Sequence, residues 1–470
     1  MSGWPKIIQG GMGAGVSSWK LARAVSSLGQ LGVVSGIALD TLLARRLQDG
    51  DGEGNVRRAL ESFPVREMAE QIWQKYFVAG GKAPNEPYQT VPMHSVKDTH
   101  TLSELCIVGN FVEVFLAREG HDNPVGINYL EKIQLPHLPS IYGAMLAGVT
   151  CVLMGAGIAT RIPGVLDRLA NHQPVSYELQ VTGNEGQDAV VALFDPAEFF
   201  DGLPPLPRPW FFPIISSNVL ATTMIKRSNG RVDGFIVEGP TAGGHNAPPR
   251  GQLRLNDAGE PQYGEKDEVD LDKLKTLGLP FWLAGGQATR EKLQAALALG
   301  AAGVQVGTAF ALCEESGLRE DLKSAILSEA TSGHARVLTD RLASPTGFPF
   351  KVAQLASTLS EPEVYEARQR VCDPGFLREV FRKPDGQIGY RCAAEPVDAY
   401  VAKGGDVEAT EGRKCLCNAL LANVGMGQIR RDGSIELPLV TAGDDISTIA
   451  RFIRPGESTY SAKDVIEALT

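Results

Sequence analysis

The chain is short of positive charge. Its 470 residues carry 45 Lys and Arg against 55 Asp and Glu, a formal charge of −10. No basic run stands out, which excludes a nucleic-acid-binding role, because phosphate neutralisation needs clustered cations. No apolar stretch reaches the 18 or more residues that a bilayer crossing needs, and MSGWPKIIQGG lacks the pattern of a signal peptide. A cytoplasmic, soluble protein that meets neither nucleic acid nor membrane is expected. Seven cysteines, an odd number over a long chain, fit reduced thiols better than a secreted disulfide framework. Internal repeats of 20–50 residues and low-complexity tracts are missing too, so solenoids and disordered arrays are excluded.

What is abundant is glycine, 52 residues or about 11%, against a usual share near 7%. Many of these glycines close short apolar runs, where they act as backbone devices at strand ends. Eight such runs alternate with helical patterns: residues 7–11, 31–36, 124–130, 151–155, 211–217, 233–239, 280–286 and 303–308. This alternation predicts an α/β fold, a (β/α)8 TIM barrel, whose ligand sits at the carboxyl ends of the strands. Ser17 and Thr289 stand where helix N-caps are expected. Two segments interrupt the rhythm. Residues 40–123 read as a helical insertion with a Pro-rich link, and 173–209 as a β-hairpin insertion, VSYELQV and AVVALF, with a proline-rich connector. The domains expected are a barrel unit over 1–335, whose core without insertions falls near the low end of about 200–250 residues, and an appended C-terminal domain over 336–470.

Three glycine-bearing segments could carry chemistry. QGGMGAGVSS, residues 9–18, joins a strand end to a helix start, and its glycines let backbone approach a flat or anionic ligand. It is not a dinucleotide fingerprint, because glycines at 11, 13 and 15 do not make GxGxxG. MGAGIAT at 154–160 fails likewise, with Thr160 in place of the third glycine, and reads as a plain strand-to-helix turn. EGPTAGGHNAP, 238–248, runs from the sixth strand through two glycines to His245, which then points into the barrel mouth as general base or hydrogen-bond donor. His94, His100, His121, His137, His172 and His334 have no partner at metal-ligand spacing and are expected to be structural or superficial. AGGQATR (284–290) and QVGTAF (305–310) close the seventh and eighth strands, the standard phosphate position in this fold.

PKIIQGGM, VGIN, EGPTAGGH, AGGQAT and GVQVGTAF, in this order, resemble the nitronate monooxygenases, formerly 2-nitropropane dioxygenases, a family that includes flavin-dependent enoyl-acyl-carrier-protein reductases. The resemblance covers most of residues 5 to about 330 and implies an FMN-binding barrel. It places Gly11, Met12 and Gly13 along the flavin, with Asn128 meeting it from the third strand. Glu238 and Gly243 would line the ring or ribityl chain. Gly285, Gly286, Gln305, Gly307 and Thr308 would hold ribityl and phosphate, and His245 would face the substrate. Glu238 stands where many nitronate monooxygenases carry glutamine, and Thr241 where they carry glutamate. The enoyl reductases also use glutamate at the first position. Residues 346–418 look more like the reductase branch of polyunsaturated fatty acid synthases.

The resemblance therefore implies an FMN-dependent oxidoreductase that oxidises alkyl nitronates with O2 to a carbonyl compound and nitrite. Its alternative is an enoyl-thioester reductase taking electrons from NAD(P)H, with acyl carrier protein as partner. A non-catalytic barrel subunit, which would need no phosphate cradle, is the third reading. All three are compatible with a homo-oligomer. Cys372, Cys392, Cys415 and Cys417 fall within 46 residues, but the usual CxxC knuckle is missing and CLC is an awkward bite, so buried free thiols and no metal site are expected.

Overall fold

A computed structural model describes residues 3–470. Eight parallel strands form the barrel: β1 (Ile7–Gln9), β2 (Gly32–Ser35), β3 (Val125–Leu130), β4 (Cys151–Gly155), β5 (Trp210–Ile215), β6 (Phe235–Glu238), β7 (Phe281–Ala284) and β8 (Gly303–Val306). All eight expected runs are strands. β8 pairs with β1 in the register Ile7↔Val304. The circle closes between β1 and β2 through Gln9 N–H to Leu31 O (2.9 Å) and Leu31 N–H to Ile7 O (3.1 Å). Alternate strand residues turn inward, and Ile8, Val33, Leu153, Phe212, Ile236 and Trp282 fill the interior. Trp4 seals the amino end of the barrel against Trp210, Phe212 and Trp282, with ring centroids 4.9–5.9 Å away. The opposite end is therefore the one that can admit a ligand.

Helices α1 (Trp19–Ser27), α2 (Leu39–Gln48), α3 (Asn55–Glu61), α4 (Arg66–Tyr76), α5 (His100–Arg118) and α6 (His137–Leu146) occupy the first half. The segment 40–123 is not wholly an insertion, because α5 packs against α1 and α6 as a member of the barrel's outer ring. Nineteen residues long with mean hydropathy 1.3, α5 is the one described helix whose length and composition would suit a bilayer, yet 72% of its apolar window is buried in the protein. It is apolar on all sides because it is covered on all sides. Glycines allow the contact: a Cβ on Gly143 of α6 would lie 2.1 Å from Ile107 O. Buried Glu113 of α5 accepts the N–H of Trp19 at 2.8 Å and pairs with Arg46 of α2.

The expected hairpin is split. Val175–Glu178 pairs antiparallel with Val191–Phe194 as predicted, but VSYELQV is not one strand. The Gln134 carboxamide captures the N–H of Gln180 at 2.8 Å, and Val181–Thr182 turns away to pair in parallel with Glu379–Arg382. At the first glycine loop, the N-cap is Ser18 rather than Ser17, and it makes no side-chain capping bond. The Ser17 hydroxyl is engaged instead by Gly10 O (3.0 Å), Met12 N–H (2.9 Å) and Gln9 Nε2 (2.8 Å). Thr289 caps its helix, accepting from Lys292 N–H.

The β/α rhythm ends near residue 335, but the packing does not. Leu421, Val440, Ile449, Phe452, Val465 and Leu469 belong to the same buried cluster as the barrel helices, and the helix Ala462–Leu469 lies on α1. Residues 336–470 are thus built onto the barrel mouth and flank.

Buried His94 is held between Asp40 Oδ2 (2.8 Å) and the Asp98 carboxylate. Burial alone would lower its pKa, and the two carboxylates more than reverse this, pushing it up to about 9. Since the folded value exceeds the unfolded one, the stabilisation is complete below about pH 6.5 and is lost as pH rises through 9. The unfolding free energy from urea titrations should fall across that window by an amount on the order of 2 kcal/mol, and the midpoint with it. His94→Gln should show no such decline, and a wild-type midpoint flat from pH 6 to 9.5 would contradict the pairing.

Candidate active site at the barrel mouth

A cavity of about 190 Å³ opens at the carboxyl ends of the strands. Every residue that the resemblance placed at the site lines it: Gly11, Met12 and Gly13 after β1, Asn128 in β3, Glu238 closing β6, and Gly243 and His245 in the loop beyond. Gly285 and Gly286 follow from β7, with Gln305, Gly307 and Thr308 at the end of β8.

Backbone chemistry makes the floor. A Cβ on Gly11 would stand 2.4 Å from Asn128 Cβ, and one on Gly243 would meet Ala442 C at 2.8 Å. Gly285 and Gly286 take φ of +93° and +58°, a region that side chains rarely adopt. The N–H groups of Gly286 and Gln287 have no partner within the described protein. Gln305 Oε1 is likewise buried and unpaired. Unpaired buried donors and acceptors cost free energy unless a ligand satisfies them. A narrow glycine floor with free N–H groups at one end suits a planar ring bearing an anionic tail, so these residues fit a flavin mononucleotide.

Three titratable groups line the cavity, Glu238, His245 and Asp445. Burial pushes the Glu238 carboxyl up to about 8, so it carries its proton at neutral pH. Burial lowers His245 to about 4, so its ring is neutral. His245 Nε2 meets Ser344 Oγ at 2.7 Å, and the ring packs edge-on to Phe350 at 4.8 Å. Ser344 is itself fixed, accepting from Thr346 N–H at 3.2 Å.

Sequence reasoning missed the residues beyond 336 that wall this cavity, among them Phe350, Leu420, Thr441, Ala442, Gly443 and Asp445. Gly443 N–H donates to Thr308 Oγ1 (2.9 Å), Gly244 N–H to Thr441 Oγ1 (2.7 Å), and Lys351 N–H to Gly244 O (2.9 Å). Asp445 places a carboxyl beside Thr308; burial raises its pKa, while Thr308, Arg451 and Lys292 offset that. The segment 154–160 was also undervalued, since Gly155 and Ala156 reach the cavity. Nothing in the local pattern of TAGDD or MGAG announces such a place.

The sequence profile of the family described as Nitronate monooxygenase matches residues 210–341, from β5 through β8 and the strand that follows. Over that segment the chain is similar to the nitronate monooxygenase family. A nitronate monooxygenase of Paraburkholderia phytofirmans is 32% identical over 163 residues, 34% of this chain and 42% of that protein. The nitronate monooxygenase of Pseudomonas aeruginosa is 33% identical over 121 residues, 25% of this chain and 32% of its own. The chain thus spans less than half the length of these curated relatives. Among solved structures, FabK from Thermotoga maritima covers 99% of this chain and 91% of its own, at 18% identity and a TM-score of 0.47. Nitroalkane oxidase from Streptomyces ansochromogenes covers 99% and 94%, at 17% identity and 0.45. Both are similar in broad outline only. Within the family-matched segment lie Glu238, Gly243, His245, Gly285, Gly286, Gln305, Gly307 and Thr308.

Proposed function

We propose that the protein is an FMN-dependent oxidoreductase that oxidises alkyl nitronates with O2 to a carbonyl compound and nitrite. The observation that carries this reading is the pairing of a glycine floor with two neutral proton carriers, Glu238 and His245, in one cavity. FMN would lie on Gly11–Gly13 with its phosphate toward Gly286 and Gln287, and would supply the electron transfer that no side chain here can provide. The chain's own residues then bind and orient. A neutral imidazole donates a hydrogen bond to an anionic nitro oxygen, and the Ser344 hydroxyl holds the ring in place. The apolar wall of Ile37, Leu130, Ile214 and Leu420 takes the alkyl part and excludes water.

A second reading is reduction of an enoyl thioester with NAD(P)H as donor, which would bring in acyl carrier protein or coenzyme A. A Mycobacterium tuberculosis relative, 33% identical over 120 residues, 26% of this chain and 29% of its own, is named as a dehydrogenase of an indene-carboxyl-CoA, and a protonated Glu238 suits proton delivery to a reduced substrate. The two readings separate in one experiment. Protein loaded with FMN is mixed anaerobically with propyl-2-nitronate or with NADPH, and flavin absorbance is followed. Bleaching by the nitronate is expected. Bleaching by NADPH alone would transfer the assignment to the reductase, and failure to retain any flavin would end both.

A further inference from the structure

One end of the barrel-mouth cavity suits an anion, yet a carboxyl stands in it. The loop after β7 presents the unpaired N–H groups of Gly286 and Gln287, while its carbonyls are occupied by cations: Lys292 Nζ donates to Gly286 O, and Arg451 Nη2 to Ala288 O at 2.7 Å. Free amide donors backed by positive charge favour a phosphate. Asp445 lines the same cavity, together with Gly285, Gly286 and Thr308. An atom placed as Cβ on Gly443 would lie 3.0 Å from Asp445 Oδ1 and 3.1 Å from Thr308 Oγ1, so carboxyl and hydroxyl flank one point at the rim of the cradle. Thr308 Oγ1 accepts from Gly443 N–H at 2.9 Å, which leaves the hydroxyl hydrogen for a neighbour.

The groups around Asp445 are engaged elsewhere. Lys292 and Arg451 are the charged side chains that face it, and both are bonded to the carbonyls just named. Tyr460 is a further titratable neighbour, and its hydroxyl donates to Ala309 O at 2.7 Å. Asp444, beside it in sequence, takes Lys351 Nζ at 2.6 Å. An ionised carboxylate offers only acceptors, as does a phosphate, whereas a protonated carboxyl offers one donor. Two such anions brought together in a buried site repel, and one of them takes up a proton. Burial already raises the pKa of Asp445, with Thr308, Arg451 and Lys292 offsetting only part of that, and a phosphate dianion would add to the rise.

We propose that Asp445 binds the FMN phosphate as a neutral acid, its O–H donating to a phosphate oxygen. This rests on the flavin reading of the cavity and extends it to a cofactor ligand from beyond the β/α repeat. FMN then enters together with one proton drawn from solvent, and no covalent bond to phosphorus is made or broken. Affinity for FMN falls as pH rises, because the proton it needs becomes scarcer.

The test reads binding, not turnover. Full-length protein is titrated with FMN and separately with riboflavin, which lacks the phosphate, at about pH 7 and about pH 9, where the phosphate is a dianion because its second pKa is about 6. Quenching of flavin fluorescence gives both dissociation constants. Glu238, pushed up to about 8, also titrates in this range, but it faces the part of the site common to both ligands. The readout is therefore the ratio of the FMN constant to the riboflavin constant. That ratio should rise about tenfold from the lower pH to the higher, which corresponds to one pKa unit of linkage. Asp445→Asn keeps a donor and cannot ionise. At the higher pH it should bind FMN about tenfold more tightly than the wild type, with riboflavin binding unchanged and no rise in the ratio. Asp445→Ser replaces it if the amide variant is not monodisperse. A wild-type ratio equal at both pH values overturns the proposal and leaves the flavin assignment standing, as does a rise that persists in the variant. Binding of neither flavin at either pH removes the flavin assignment itself, and the role of Asp445 with it.

Discussion

Replacing His245 with alanine is expected to lower the rate of flavin reduction by about 10²–10⁴-fold while FMN content stays at the wild-type level. The ring lines the cavity and is held by Ser344 and Phe350, so cofactor binding and chemistry should separate. Burial holds His245 to about 4, so the wild-type rate should show no step near pH 6.5, where an exposed histidine would titrate. Ser344→Ala should cost less, roughly tenfold, because the imidazole remains but loses its 2.7 Å partner; Ser344→Thr should recover most of it. Stopped-flow reduction with propyl-2-nitronate, or with NADPH if that is the donor, checks all three variants. An alanine variant that reduces its flavin at the wild-type rate would remove His245 from the chemistry.

The second large effect is on stability. Gly303 opens β8, and a Cβ there would lie 2.0 Å from Lys6 O and 2.6 Å from Lys6 C. Both are backbone atoms at the entrance to β1, so relief requires separating the two strands that close the barrel. Gly303→Ala should cost about 3 kcal/mol, the upper end of ordinary overpacking, and lower Tm by several degrees. Gly52→Ala is the control, since nothing lies within 4 Å of its added methyl, and its melting point should match the wild type. If the two variants melt together, the seam yields more easily than its geometry implies.

Gly303 also shows how a sequence can be read correctly for an incomplete reason. The glycine excess pointed to strand ends and hence to the cavity, and Gly11, Gly243, Gly285 and Gly286 do line it. Gly303, Gly32 and Gly143 exist for another purpose, the close approach of backbone to backbone, which leaves no periodic trace. The barrel strands were legible because short β-branched runs punctuated by glycine are distinctive. The helix α5 was not, since a helix buried on every side has no polar face and thus no 3.6-residue signal. His245 was legible from its strand end; Ser344, which fixes it, is 99 residues away, and no local pattern announces a partner brought in by tertiary contact. Cys392, Cys415 and Cys417 meet in one buried cluster, a grouping that their spacing, which lacks a knuckle, does not announce.

The barrel circle and the cavity wall are finished at different times. During synthesis β1 emerges early and must wait for β8 at residues 303–306 before it has its ladder partner. Even then the mouth lacks Thr441, Ala442, Gly443 and Asp445, and the helix 462–469 that lies on α1. A ribosome making about 5–20 residues per second therefore releases a chain whose cavity is completed only after its last wall is translated. A nascent barrel halted anywhere before residue 441 should accordingly be unable to retain the proposed flavin.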